Sequence, residues 1–123
     1  FNNFMEEEIY QMMVATTEDQ DELILENTTT LKVARWWNRA CDIIPCNSGK
    51  DIGIQKILDY FNFNKEEAMA FGDGGNDISM LKYVGTGVAM GNAKDNVKAI
   101  ADYITDSVQE DGIVSALKHF EII

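Results

Sequence analysis

Phe71-Gly72-Asp73-Gly74-Gly75-Asn76-Asp77-Ile78-Ser79-Met80-Leu81 places two aspartates and one amide within five positions, surrounded by three glycines. The apolar run Ala68-Met69-Ala70-Phe71 leads directly into it. A short buried strand that ends in a glycine-rich, carboxylate-bearing turn and then enters a helix is a common way for an α/β protein to hold a metal or a phosphate. Ligands of open α/β sheets collect at the carboxyl ends of the strands. The helix that follows such a turn offers unpaired N–H groups and a positive dipole end to an anion.

Outward from this stretch the pattern alternates. Strand 68–72 leads to helix 77–84, strand 86–90 to helix 93–101, and strand 102–105 to helix 112–120. Short loops between alternating strands and helices predict a Rossmann-like parallel sheet flanked by helices. Upstream, Ile52, Ile54, Ile57, Leu58 and Phe61 fall at helical spacing, so Lys50 to about Asn62 reads as an amphipathic helix. Before Asn47-Ser48-Gly49 the rhythm is strand upon strand. Tyr10–Ala15 is one strand, closed by the polar cluster Thr16–Glu22. The polar–apolar alternation of Thr30–Trp36 suits a half-buried antiparallel strand. Asp42–Pro45 is a third, which Pro45 either ends or marks as an edge. The expected fold is therefore α/β, with a short antiparallel segment over 1–45 followed by a Rossmann-like part over 46–123.

The 123 residues suffice for one domain with a buried core, and 46% hydrophobic residues fit a folded chain. The formal net charge is −11, with no Lys or Arg before Lys32 and acid at Glu6, Glu7, Glu8, Glu18, Asp19, Asp21, Glu22 and Glu26. Such a surface repels nucleic-acid phosphates and anionic lipid, so no nucleic-acid or membrane partner is expected. Its plainest role is a solvated face. Cys41 and Cys46 form no CxxC, and with His119 far along the chain they assemble no zinc site. Reduced thiols in a cytoplasmic protein are the expectation. No apolar stretch reaches the ~18 residues of a membrane span, and no signal-peptide pattern opens the chain. The first residue is Phe rather than Met, which fits a fragment or a processed chain.

Asp73 follows a strand expected to be buried, where a carboxylate is costly unless paired or bound to a cation. Mg²⁺ takes oxygen ligands, typically one or two carboxylates with waters and substrate phosphate. Asp77, four residues on, is close enough to share that site. The competing reading makes Asn76 or Asp77 an ordinary helix N-cap, with the glycines forming a turn. Lys50 opens a helix, where a cation opposes the dipole. Binding a phosphate or pairing with a site carboxylate would explain it; an exposed surface lysine is the alternative. Gly49-Lys50 is no phosphate-binding P-loop, since residue 44 is Ile and residue 51 is Asp. Gly85, Gly87 and Gly91 lack the G-x-G-x-x-G spacing and read as glycines of tight packing around strand 86–90.

Gly-Asp-Gly-Gly-Asn-Asp-Ile-Ser-Met-Leu at 72–81 with Gly-Val-Ala-Met-Gly-Asn-Ala at 87–93 resembles the fourth motif of haloacid dehalogenase (HAD) superfamily phosphatases, most specifically the Cof-type branch. Ala101–Thr105 and Glu110–Ile113 continue the likeness, and Lys50 stands where that family has its third-motif lysine. The resemblance implies that Asp73 ligates Mg²⁺ and that Asp77 supports the site from beside it. It also implies that Asn76 binds the transferring phosphoryl group and that Lys50 neutralises its oxygens and the nucleophile. Residues 1–45 resemble the end of the family's cap domain, and place Trp36 and Trp37 there, with at least one expected to pack the cap's own core. A similar GDGxND turn occurs in P-type cation ATPases, but Met80-Leu81, Gly91-Asn92-Ala93 and the lack of membrane spans speak against that family.

One departure stands out. The family's nucleophile lies in D-x-D-G-T, which this sequence lacks. Asp19-Gln20-Asp21 is the only D-x-D, but Glu22 and Leu23 replace Gly and Thr, so it reads as an exposed acidic turn. The expectation is thus the C-terminal part of a Mg²⁺-dependent hydrolase of small phosphorylated metabolites, incomplete here and inactive alone. The alternative is a non-catalytic metal- or phosphate-binding or interaction module that pairs with another chain. A homo-oligomer or a missing N-terminal segment would complete the sheet.

Overall fold

Alternation in the first third of the chain yields an antiparallel sheet. Its strands are β1 (Met12–Val14), β2 (Leu31–Trp37) and β3 (Ala40–Pro45), in the order β1-β3-β2. Asp42 of β3 lies opposite Met13 on one side and Ala34 on the other. Being central, β3 is the most buried, with Ala40, Cys41, Ile43 and Ile44 all enclosed. Pro45 ends this central strand instead of marking an edge, because it has no N–H to give the ladder. The computed structural model describes residues 8–123, so the expected acid at Glu6 and Glu7 lies outside the described residues. The chain divides into two compact units, Phe1–Ser48 and Gly49–Ile123.

The polar stretch Thr16–Glu22 is more ordered than its composition suggested. It forms a 3-10 turn, Glu18–Gln20, that runs into a short helix α1, Asp21–Leu25. Thr17-x-x-Gln20 is a capping-box pattern. The Gln20 Oε1 accepts the Thr17 N–H at 3.4 Å and the Thr16 hydroxyl at 2.7 Å. Asp21, half of the only D-x-D, is ion-paired with Arg35, whose Nη1 also donates to the Thr16 carbonyl at 2.8 Å.

In the second unit, helix α2 (Lys50–Phe61) stops at Asn62, which takes left-handed dihedrals of φ 58° and ψ 41°. The Phe63 N–H then returns to the Leu58 carbonyl at 3.0 Å, satisfying a carbonyl the helix leaves open. Strands β4 (Met69–Gly72), β5 (Thr86–Ala89) and β6 (Tyr103–Ile104) form a parallel sheet in the order β4-β5-β6. Helices α3 (Ile78–Tyr83), α4 (Asp95–Lys98) and α5 (Gly112–His119) follow the strands in turn. Ala70, Leu81, Val84, Ala89, Ala93 and Val97 make the core. Burying Leu81 and Val97, almost wholly enclosed, stabilises the unit by about 1.5–3 kcal/mol each.

Helix α4 is shorter than the predicted 93–101. Its start is held back because the Ala93 N–H closes a turn onto the Met90 carbonyl at 2.8 Å and Lys94 stays extended. At the other end the Asp102 N–H bonds the Gly87 carbonyl at 2.8 Å and draws the chain into β6. Gly87 is required by packing: a Cβ there would fall on the Leu81 carbonyl oxygen. No helix among the described residues is long and apolar enough to cross a membrane.

Candidate functional site

The Gly72–Asp77 turn leaves the carboxyl end of β4, and its geometry reverses the burial expected of its two aspartates. Asp73 is exposed, whereas Asp77 is only 5% exposed. The cause is Gly72. A Cβ at that position would lie 2.6 Å from the Asp77 Cβ, so only glycine lets residue 77 fold back onto the strand end. The carboxylate cost assigned to Asp73 therefore falls on Asp77.

Three donors meet that cost. Asp77 Oδ2 accepts the N–H groups of Asp73 and Gly74, each at 3.0 Å, and Oδ1 receives the Lys50 ammonium. Burial pushes the Asp77 carboxyl up, but Lys50 and the two N–H groups together outweigh it, and the group lies below its ordinary value. Asp77 occupies the N-cap position of α3 without making a side-chain cap bond. Its oxygens point back at the turn, where Oδ2 accepts the N–H of Gly74, the N-cap of the 3-10 turn Gly75–Asp77, so Asp77 caps that turn from its third position and not α3 from the N-cap. The Asp73 and Gly74 N–H groups are thereby already taken.

Lys50 is the first residue of α2. Gly49 before it sits at φ 151° and ψ 169°, a region essentially closed to residues with a Cβ. The Lys50 side chain stays 49% exposed although its ammonium grips Asp77. Asp51 takes the Ser79 hydroxyl at 3.1 Å, tying α2 to α3 just beside the Lys50–Asp77 pair. Asn76, half-buried, lies in the 3-10 turn Gly75–Asp77 between the two aspartates.

Sequence reading missed Asn92 as a site residue. Its Nδ2 donates to Asp73 Oδ2 at 3.0 Å, and its Oδ1 accepts the Val108 N–H at 3.0 Å. Local patterns gave no sign of it, because its partners are 19 and 16 residues away. Its only trace was the Gly91-Asn92-Ala93 triplet.

A divalent cation can be tested against this donor set. Both oxygens of Asp77 are engaged, and one oxygen of exposed Asp73 is taken by Asn92. Among the described residues no three His, Cys, Asp or Glu side chains gather to hold an ion. The residues fit one carboxylate contact, the partial set that Mg²⁺ accepts when waters and a phosphate supply the rest. In the first unit, Trp36 is half-buried and Trp37 is 49% exposed. Trp37 lines an open concavity of about 400 Å³ with Ala15, Thr16, Thr17, Gln20 and Arg39.

A parallel sheet whose strand end presents an exposed aspartate, a half-buried amide and a lysine clamped to a buried carboxylate is suited to a phosphate and a hard cation. A family model for haloacid dehalogenase-like hydrolases matches residues 1–117, and the chain belongs to that family. Among solved structures it resembles the HAD subclass IIB sugar phosphatase BT4131, with a TM-score of 0.90 and 43% identity over 99% of this chain and 47% of that one. BT1666 from Bacteroides thetaiotaomicron, described among phosphatases of the superfamily, gives a TM-score of 0.91 and 38% identity over 99% of this chain and 46% of that one. The 5-amino-6-(5-phospho-D-ribitylamino)uracil phosphatase YitU of Bacillus subtilis (strain 168) is 44% identical over 70% of this chain and 33% of its own length. The chain thus spans about half the length of the solved structures it matches. These likenesses bear out the Cof-type resemblance and the α/β fold class.

Proposed function

We propose that this chain carries the metal- and phosphate-holding half of a phosphatase site that, in the complete protein, hydrolyses small phosphorylated metabolites through an aspartyl-phosphate. The observation that carries this reading is the Asp77 carboxylate held between Lys50 and the Asp73 and Gly74 N–H groups at the carboxyl end of β4. Asp73 holds the cation through its uncommitted oxygen. Asn76 donates to the phosphoryl group. Lys50 sets a positive charge against the phosphoryl oxygens while Asp77 fixes its position. Mg²⁺ at Asp73 would neutralise phosphate charge and orient the group for in-line displacement. Phosphoryl transfer rests mostly on such positioning and charge neutralisation.

The attacking aspartate comes from outside these residues, since no D-x-D-G-T occurs among them. Strand β4 pairs only with β5 among the described residues, so its outer edge can accept the strand that brings the nucleophile. A further segment of the protein or a second copy could supply that strand. Residues 1–45 are the end of a cap and 46–123 the last part of the catalytic core in this reading. It also places the protein in the cytoplasm, where Cys41 and Cys46 stay as thiols. The test is hydrolysis of p-nitrophenyl phosphate with Mg²⁺ by the purified chain. Negligible turnover is expected; robust Mg²⁺-dependent turnover would defeat the half-site reading.

A further inference from the structure

Strand order explains why three distant segments meet at Asp73. Strands β4, β5 and β6 lie side by side and parallel, so the residues after each strand emerge at the same sheet edge. Those residues are Asp73 after β4, Asn92 after β5 and Val108 after β6. A hydrogen-bond chain crosses them in strand order: the Val108 N–H donates to Asn92 Oδ1, and Asn92 Nδ2 donates to Asp73 Oδ2. Because one end of the amide accepts and the other donates, it has a single orientation that satisfies both partners.

The far anchor of this chain is built to stay in place. Gly91 packs so closely on the 105–107 segment that a Cβ would lie 2.6 Å from the Ser107 nitrogen, and its own N–H bonds the Asp106 carbonyl at 2.9 Å. The Ser107 hydroxyl donates to Glu110 Oε2 at 2.7 Å, closing the 3-10 turn Val108–Glu110. The buried Thr105 hydroxyl donates to the Gly112 carbonyl at 2.6 Å and ties off the other end of the loop. A loop with this much internal bonding is a platform, and its Val108 N–H is aimed at Asn92.

We infer that Asn92 is a positioning residue: anchored by the Val108 N–H, it holds the Asp73 carboxylate in the orientation that receives the cation. This rests on the reading of Asp73 as the metal carboxylate. An exposed aspartate otherwise samples several rotamers, and ordering it in advance lowers the entropy lost on binding. One Asp73 oxygen is occupied by Asn92, which leaves the other as the metal-facing atom.

The structure suggests a clean cut. Val108 is the first residue of its 3-10 turn, and Ser107 before it sits at φ −70° and ψ 166°. A first helical position tolerates proline, and that extended geometry is the one a residue preceding proline prefers. Val108→Pro therefore removes the anchoring N–H without touching Asn92 or Asp73, while Val108→Ala keeps it. The experiment is a Mg²⁺ titration of the ¹⁵N-labelled chain, read from backbone amide shifts and from the Asn92 side-chain NH₂ signals.

Asn92→Ala and Val108→Pro should each weaken Mg²⁺ binding about tenfold, the lower end of what a hydrogen bond to a metal ligand is worth. Val108→Ala should bind as the parent does. In the metal-free chain the Asn92 NH₂ signals should shift toward those of a free amide in Val108→Pro. If both variants bind Mg²⁺ like the parent while Asp73→Asn abolishes binding, the inference is overturned and the metal reading stands. Equal weakening by Val108→Ala and Val108→Pro would also overturn it. If the parent shows no Mg²⁺ binding, or Asp73→Asn binds unchanged, the metal reading falls and the inference falls with it.

Discussion

Replacing Lys50 by methionine keeps most of the aliphatic stem and removes the ammonium that grips Asp77. The magnitude follows from the asymmetry of the pair, whose side chains are 49% and 7% exposed for lysine and aspartate. Stripping the partner from a fully buried ion costs about 3–5 kcal/mol. Here the lost partner is half in water, and Asp77 keeps its two backbone N–H donors. The expected loss is therefore about 1–2 kcal/mol at neutral pH, in the range of a charge-assisted hydrogen bond discounted for exposure. For a chain of this size that lowers the melting temperature by roughly 4–8 °C.

The pH dependence has a definite sign. Because Asp77 titrates below its ordinary value in the fold, its contribution is fully present above the unfolded carboxyl value of ~3.9 and is lost as pH falls through the folded one. Without Lys50, burial opposes only the two N–H groups. The carboxyl then rises toward its unfolded value, so Lys50→Met loses less stability in acid than the parent does. Urea midpoints measured from pH 7 down to pH 3 should show the parent above Lys50→Met at neutrality and the two converging in acid. Lys56→Met, on an exposed position of the same helix, controls for the change in net charge. Identical midpoints and identical pH profiles for the parent and Lys50→Met would refute the clamp.

Gly72→Ala should force Asp77 off the strand end and cost about 2–4 kcal/mol by denaturant unfolding, with the Asp73 and Gly74 amide signals moving; a neutral substitution would show that no close approach is needed. Asp102→Ala removes the carboxylate that accepts the Gly87 N–H at 2.7 Å, and a loss of about 1–2 kcal/mol is expected in the same assay. Burial pushes the Cys41 thiol up more strongly than neighbouring Arg35 draws it down. Iodoacetamide at neutral pH should therefore label exposed Cys46 and spare Cys41, as mass spectrometry of the folded chain would show.

The strand and helix alternation after Gly49 was legible because β4 and β5 are short apolar runs ending at or near glycine, and a helix follows each strand after a short loop. Helix α1 escaped notice because Thr16–Glu22 was weighed by polarity alone, although Thr17-x-x-Gln20 carried a capping signal. The ends of α4 were overextended: a tight turn from Ala93 back to Met90 delays its start, and the bond from Asp102 to the Gly87 carbonyl on β5, which no local pattern records, draws the chain away at its end. At the site, residue types and spacing pointed to Asp73, Asp77 and Lys50, and the family resemblance added Asn76. Which aspartate is buried depended on a missing Cβ at Gly72, a matter of three-dimensional clearance. Asn92 joined them only through strand order, which a linear reading does not contain.

The central claim is that Lys50, Asp73, Asn76 and Asp77 form a cradle for phosphate and a divalent cation. Titrating inorganic phosphate into the ¹⁵N-labelled chain, with and without Mg²⁺, tests it most directly. Shift changes should concentrate at Lys50 and Gly72–Asp77 and grow when Mg²⁺ is present, and that Mg²⁺-dependent growth should vanish in Asp73→Asn. Phosphate-induced shifts scattered elsewhere, or none at those residues with Mg²⁺ in excess, would contradict it.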